Sequence, residues 1–274
     1  MNKYFNHYWM RLRKWLLQMK YLFFKNENTV IINGIKFILT WDISELQNMN
    51  SSGKFFLLGK TTEMIERCIA LGQKQEIKKV FDMGILQGGS VVLYDKIYAL
   101  DKIVAIDCMP QTVEALTRYI ERHDKINLIK PYYGVDQADS AAMGKILSLE
   151  FPKRDIDLIV DDASHYYAET RAAFNISFPY LKAGGLYVIE DWGWAHWAGE
   201  PWQTEESPFG SRKAMSNLLI ELFMLAASRP DLIDEINIKY NMIIMKKGSG
   251  QMSDDDFDIG EHYLLRGKPF EAWL

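Results

Sequence analysis

From residue 77 onward, short apolar runs alternate with stretches of helical periodicity. Lys79 to Met83 is an apolar run that ends in the glycine-rich Gly84-Ile85-Leu86-Gln87-Gly88-Gly89-Ser90, after which Val91 to Tyr94 reads as helix. Further strands are predicted at Ile103–Asp107, Ile126–Ile129, Ile156–Val160 and Leu186–Ile189, with helices over 112–122, 141–149 and 170–181 between them. This alternation predicts an α/β fold, a mostly parallel, doubly wound sheet whose ligands bind beyond the carboxyl ends of its strands. A last helix is predicted over 211–228, with Met215, Leu218, Leu219, Leu222 and Leu225 on its core face.

The pattern before residue 77 differs. Val30-Ile31-Ile32 and Ile35 to Leu39 flank Asn33-Gly34, a strong hairpin signal. Residues 47–53 read as a polar loop, and a helix follows with Met64, Ile65, Cys68, Ile69 and Leu71 inward and Thr61 or Thr62 as its N-cap. Gly59-Lys60-Thr61 is not a phosphate loop, because five residues rather than four separate Gly53 from Gly59. Ahead of the hairpin, Trp9, Leu12, Leu16, Met19 and Phe23 recur at steps of three and four and draw an amphipathic helix. The pattern thus divides the chain into an N-terminal helix and hairpin cap (1–55), a domain of alternating strands and helices (56–247) and a C-terminal tail (248–274).

Charge changes the picture at the N-terminus. The 274-residue chain carries net charge −4, yet residues 1–25 hold six Lys and Arg and no acid. A basic helix with Trp and Phe suits either an anionic membrane surface or packing on its own domain or a second subunit, so homo-oligomerisation is expected. Its charges interrupt every window long enough to span a bilayer, and no uncharged signal-peptide core is present. The acidic balance gives no case for nucleic acid as a partner. Cys68 and Cys108 are too few for a disulfide framework, which fits a cytoplasmic location, peripheral at the membrane if the basic helix binds there.

The strand ends carry the chemistry. A dinucleotide fingerprint starting at Gly84 would need glycine at 86, where Leu stands. Gly84, Gly88 and Gly89 leave room for a ligand to approach the backbone, or in the case of Gly89 for close helix–sheet packing. Asp82 is placed to accept from a cationic amine and Asp107 to grip ribose hydroxyls, and an amine and a ribose on one ligand suggest S-adenosylmethionine. Asp161-Asp162-Ala163-Ser164-His165 and Glu190-Asp191 end the fourth and fifth strands. Three carboxylates, Asp162, Glu190 and Asp191, are costly to cluster without a cation, and oxygen ligands favour Mg²⁺, with Mn²⁺ or Ca²⁺ as alternatives. His165, in the same loop, is suited to taking a proton. Read structurally instead, Asp162 caps a turn, His165 packs on Tyr166 or Tyr167, and Glu190 binds Lys or Arg.

The runs Asp82-Met-Gly84-x-x-x-Gly88-Gly89-Ser90, Asp162-Ala-Ser164-His165-Tyr and Gly184-Gly185-x-Tyr187-Val-Ile-Glu190-Asp191 resemble class I S-adenosylmethionine-dependent methyltransferases, nearest to the metal-dependent macrolide-sugar and cephalosporin-cluster branch. The resemblance covers roughly 55–247 and likens Ile236 to Met245 to that fold's closing antiparallel hairpin. It implies that Asp162, Glu190 and Asp191 bind Mg²⁺, with Asp162 and His165 catalytic and His165 the base. Asp82, Gly84, Gly88, Ser90 and Asp107 would hold the cofactor. Tyr133-Gly-Val135-Asp136-Gln137-Ala-Asp139 is similar to the segment near adenine, with Val135 in place of the usual glycine, and this implies cofactor roles for Asp136 and Gln137. The expected reaction is methyl transfer to a hydroxyl of a small molecule or sugar. The alternatives are a non-catalytic nucleotide-binding scaffold, membrane-attached through residues 1–25, and a metal-independent N- or carboxyl-methyltransferase. Trp192, Trp194, His196, Trp197 and Trp202 either stack on the acceptor or form a lid on their own domain. Asp254 to Asp258 reads as a solvated tail.

Overall fold

The computed structural model describes residues 22–26, 28–40, 42, 49–199, 202–204, 210–239, 241–250, 252 and 257–273. The amphipathic helix expected near the N-terminus lies outside these residues up to Tyr21, as do Asp254 to Asp256. Leu22 and Phe23 correct the end of that expectation. They belong to β1 (Leu22–Asn26), where antiparallel pairing of Phe23 with Ile31 replaces helical hydrogen bonds.

The chain folds as two compact units. One contains a four-stranded sheet in the order β1, β2 (Thr29–Ile32), β3 (Ile35–Leu39), β4 (Phe56–Leu58). The β2–β3 hairpin turns on Asn33 (φ 47°) and Gly34 (φ 83°), the two positive φ values that a two-residue turn of matching twist requires. β4 runs parallel to β3, with Phe37 opposite Phe56. Three helices complete this unit: α1 (Thr62–Lys74), capped by the Thr61 hydroxyl accepting from the Met64 amide; α2 (Gly89–Ile97); and α3 (Glu114–Arg122). Its core includes Val30, Ile32, Phe37, Leu57, Ile65, Val92 and Leu116.

The second sheet runs β10 (Ile233–Lys239), β11 (Met242–Lys247), β9 (Leu181–Glu190), β8 (Ile156–Asp161), β5 (Lys79–Met83), β6 (Lys102–Asp107), β7 (Ile129–Tyr133). β8 is parallel to β5 and β9, and all six of its residues are buried, as a strand covered on both faces requires. β11 lies antiparallel to both β9 and β10, which is the closing hairpin expected. α4 (Ser140–Glu150), α5 (Tyr167–Ser177) and α6 (Ser216–Ser228) belong to the second unit, together with the carboxyl ends of β5, β6 and β7. α5 stops short of its expected end, because Phe178–Tyr180 tightens into a 3₁₀ turn through Pro179 and Leu181 already opens β9. Asp258 corrects the reading of a solvated tail. Its carboxylate takes both guanidinium ends of Arg171, at 3.0 and 2.6 Å, and the neighbouring Phe257 and Ile259 are buried.

Candidate active site

Four strand ends in the second unit carry the expected acids. Asp82 is fully buried near the end of β5. Just after it, Gly84 adopts φ 106° and donates its amide to the Ile106 carbonyl at 3.0 Å. A Cβ at Gly84 would stand 2.1 Å from the Asp162 carbonyl oxygen, so the chain leaving β8 crosses this residue in contact with its backbone. The glycine therefore admits the Asp162 peptide on the side where a Cβ would stand. Gly88 (φ 80°) and Ser90 open α2 in the other unit, where the neighbouring Gly89 similarly admits the Leu57 carbonyl.

Asp107 closes β6 with its carboxylate oriented by the Met109 amide at 2.8 Å, while the Val135 amide bonds its carbonyl at 2.9 Å. Asp136 is exposed, and one of its oxygens accepts from the Ala138 amide at 2.8 Å. Gln137, expected beside adenosine with Asp136, is 4% exposed. Its Oε1 accepts from the Ser164 amide at 2.9 Å, and its Nε2 lies 3.4 Å from each carboxylate oxygen of Asp161. Asp161 was not singled out in the sequence. Burial pushes its carboxyl up to about 8, with the Asp162 charge adding to the rise while hydrogen bonds from the Ala163 backbone and Gln137 oppose it.

The loops after β8 and β9 bring Asp162, His165 and Asp191 together, with one ligand atom from each lying within 4.8 Å of the others. His165 Nε2 is 4.0 Å from Asp162 Oδ1 and 3.9 Å from Asp191 Oδ2, both beyond hydrogen-bond length. Two backbone features aim these groups. His165 (φ 58°) and Asp191 (φ 55°) both hold left-handed conformations, uncommon outside glycine and concentrated where surrounding structure enforces them. Asn241, in the turn between β10 and β11, accepts the Asp191 amide on its carbonyl at 2.9 Å and donates from Nδ2 to Asp191 Oδ1. Glu190 is 1% exposed, opposite Met242 in the β9–β11 register, and is not one of the three converging groups.

The aromatic segment packs mainly on itself and on the site. The Trp194 ring lies 4.4 Å from the His165 imidazole and 4.8 Å from Trp202, and Trp197 meets Trp202 edge-on at 5.4 Å. His196 points elsewhere, bonding Ser216 Oγ at 3.0 Å. On the far side of the loop, Arg212 stacks over Tyr166 at 3.8 Å and pairs with Glu169. Below it, the Glu221 carboxylate, 1% exposed, accepts from Tyr167, Arg171 and Tyr263. This network ties α5, which begins two residues after His165, to α6 and to residues 258–263.

No protein-family model matches the chain. It is 25% identical over 225 residues to mycinamicin VI 2''-O-methyltransferase of Micromonospora griseorubida, an overlap covering 76% of this chain and 53% of that protein. It is 28% identical over 124 residues to demethylmacrocin O-methyltransferase of Streptomyces fradiae, covering 41% of this chain and 31% of that one. The chain thus spans about half, or less, of the length of these relatives. Among solved structures, an SAH-bound methyltransferase of Podospora anserina aligns with a TM-score of 0.50 at 15% identity, covering 69% of this chain and 79% of that one, a likeness of fold.

Proposed function

We propose that the chain is an S-adenosylmethionine-dependent O-methyltransferase that uses a hard divalent cation, Mg²⁺ first, and acts on a hydroxyl of a small molecule or sugar. The observation that carries this reading is the convergence of Asp162, His165 and Asp191 at the strand ends of a sheet of methyltransferase topology. The relatives' names, all of O-methyltransferases, support the same choice of acceptor.

The donor set fits the cation, since the carboxylates of Asp162 and Asp191 are hard oxygen ligands with one oxygen from each within 4.8 Å of the other. Asp162 and Asp191 would hold it, with Glu190 as the further carboxylate that the resemblance implies. Held there, the cation would supply Lewis-acid chemistry that makes a hydroxyl easier to deprotonate, and the cofactor would supply an electrophilic methyl group. His165 Nε2 takes the hydroxyl proton. Its ring is held for this by the left-handed backbone beneath it and by the Trp194 face against it. Trp194, backed by Trp202, covers one side of that ring. Asp107 grips the ribose with a carboxylate already oriented by the Met109 amide. Asp82, Gly84, Gly88, Ser90 and Asp136 complete the proposed cofactor set.

The geometry supports a second reading, in which His165 is a ligand and Glu190 is not. Metal titration separates the two. Loss of Mn²⁺ affinity in His165→Ala but not in Glu190→Gln would favour the second, and the opposite result the first. The activity itself is tested by methyl transfer from S-adenosylmethionine to glycosylated acceptors with and without chelator. Full activity after exhaustive chelation would remove the metal, and failure to bind the cofactor would remove the reaction class. No helix among the described residues is long and apolar enough to cross a membrane. A cytoplasmic location and homo-oligomerisation belong to the proposal, with membrane-surface binding through residues 1–25 as the alternative to packing of that segment.

A further inference from the structure

Gln137 lies in the segment after β7 whose resemblance places it beside adenosine, yet its amide is turned inward. A glutamine side chain offers one carbonyl acceptor and one amino donor group, and here one end meets the last residue of β8 and the other the loop that follows it. Oε1 accepts from the Ser164 amide at 2.9 Å, and Nε2 approaches both oxygens of Asp161 at 3.4 Å. These partners bracket Asp162, and Ser164 immediately precedes His165. His165 is held at φ 58°, a conformation that persists only where neighbouring contacts fix it. The adjacent acids behave differently. Asp136 is exposed and Asp139 caps α4 by accepting from the Ala141 and Ala142 amides, so the buried member of the segment is the one that grips the loop.

We infer that Gln137 is a positioning residue that sets the aim of Asp162 and His165, and that it is not a contact of the cofactor. The inference rests on the metal-site reading above only for its effect on metal affinity. Its effect on the loop is independent of any ligand.

The test compares the full chain with Gln137→Met, which keeps length and bulk but loses both polar ends, and with Gln137→Asn, which is one methylene too short to span both partners. Three quantities are read: hydrogen exchange at the Ser164 amide, Mn²⁺ affinity, and S-adenosylhomocysteine affinity by calorimetry. Expected for Gln137→Met are faster Ser164 exchange, Mn²⁺ affinity reduced about tenfold, the usual effect of removing an outer-shell partner, and S-adenosylhomocysteine affinity within about twofold of the parent. Gln137→Asn should show the same signs, and because it introduces no new bulk it serves if the Met variant does not fold. A loss of S-adenosylhomocysteine affinity with Ser164 exchange and Mn²⁺ binding unchanged would overturn the inference and return Gln137 to the adenosine contact. If the parent binds no Mn²⁺, the metal reading fails by itself. Ser164 exchange then still decides, with acceleration upholding the positioning role and no change overturning it.

Discussion

Replacing Gly84 by alanine tests how the candidate site is assembled. Two separate costs arise. Gly84 holds φ 106°, where an L residue is strained by about 1 to 2 kcal/mol. The new Cβ would also stand 2.1 Å from the Asp162 carbonyl oxygen, against the 3.0 Å that real Cβ contacts respect, so the two chains must separate by roughly 0.9 Å. Forcing a close-packed contact apart in this way costs about 1 to 3 kcal/mol, which brings the total to about 2 to 5 kcal/mol. Gly34→Ala is the control. Its φ is also positive, at 83°, but nothing lies within 4 Å of the added atom, so it should cost the strain alone, about 1 to 2 kcal/mol. Equilibrium urea unfolding reads both. Because the displaced group is the peptide of Asp162 itself, Gly84→Ala should also weaken Mn²⁺ binding, whereas Gly34→Ala should not. The reasoning is refuted if Gly84→Ala costs no more than Gly34→Ala, or if it leaves metal affinity untouched.

Asp162→Asn and Asp191→Asn should each lower Mn²⁺ affinity about tenfold or more, measured by calorimetry, with turnover falling in parallel. His165→Ala should retain metal and cofactor binding and cut turnover by roughly 10² to 10⁴, the contribution of a positioned base, so undiminished turnover would leave His165 structural. Arg171→Met leaves the Glu221 carboxylate buried without its cation and should destabilise the fold by about 3 kcal/mol at pH 7 in urea unfolding. The same variant has a pH signature. Burial raises the Asp258 carboxyl, but the Arg171 hydrogen bonds and charge, with the Gly260 amide and the nearby His262, together outweigh it and hold the group below its ordinary value. That share of stability is complete above the ordinary aspartate value of about 4 and is lost as pH falls through the lowered one, so the gap between parent and variant should narrow there. Removal of residues 1–21, which spares β1, should lower the melting temperature or dissociate an oligomer. Co-sedimentation of the parent with anionic vesicles that the truncated chain lacks would instead make the segment a membrane anchor.

The strand ends were legible because each buried strand is an apolar run that stops at an acid, and the parallel sheet places such ends together. The hairpin at Asn33-Gly34 and the Thr61 cap were legible for similarly local reasons, since φ preference and a hydroxyl decide them. β7 was displaced by three residues, from 126–129 to Ile129–Tyr133, because Lys130 and Pro131 mask its period and proline is admitted only at a sheet edge, where β7 lies. β4 is three residues long, too short to show any period. Asn241 carried no signal at all, since it reaches Asp191 from fifty positions away through the pairing of β9 with β11. Close packing was one reading of Gly89, but a sequence does not reveal which distant carbonyl approaches a glycine, that of Leu57 at Gly89 or that of Asp162 at Gly84. Asp258 looked solvated because its partner, Arg171, is 87 residues distant.

The Asn241 contact also sets an order of events during synthesis. Asp162 and His165 leave the ribosome well before the residue that orients Asp191, and at about 5 to 20 residues per second the interval from 162 to 241 lasts roughly 4 to 16 s. Through that interval β9 has no β11 beside it, and Asp191 has neither the Asn241 amide group nor its carbonyl. A nascent chain therefore presents Asp162, His165 and Asp191 before Asn241 can fix the last of them, and that contact forms only once the β10–β11 turn is made.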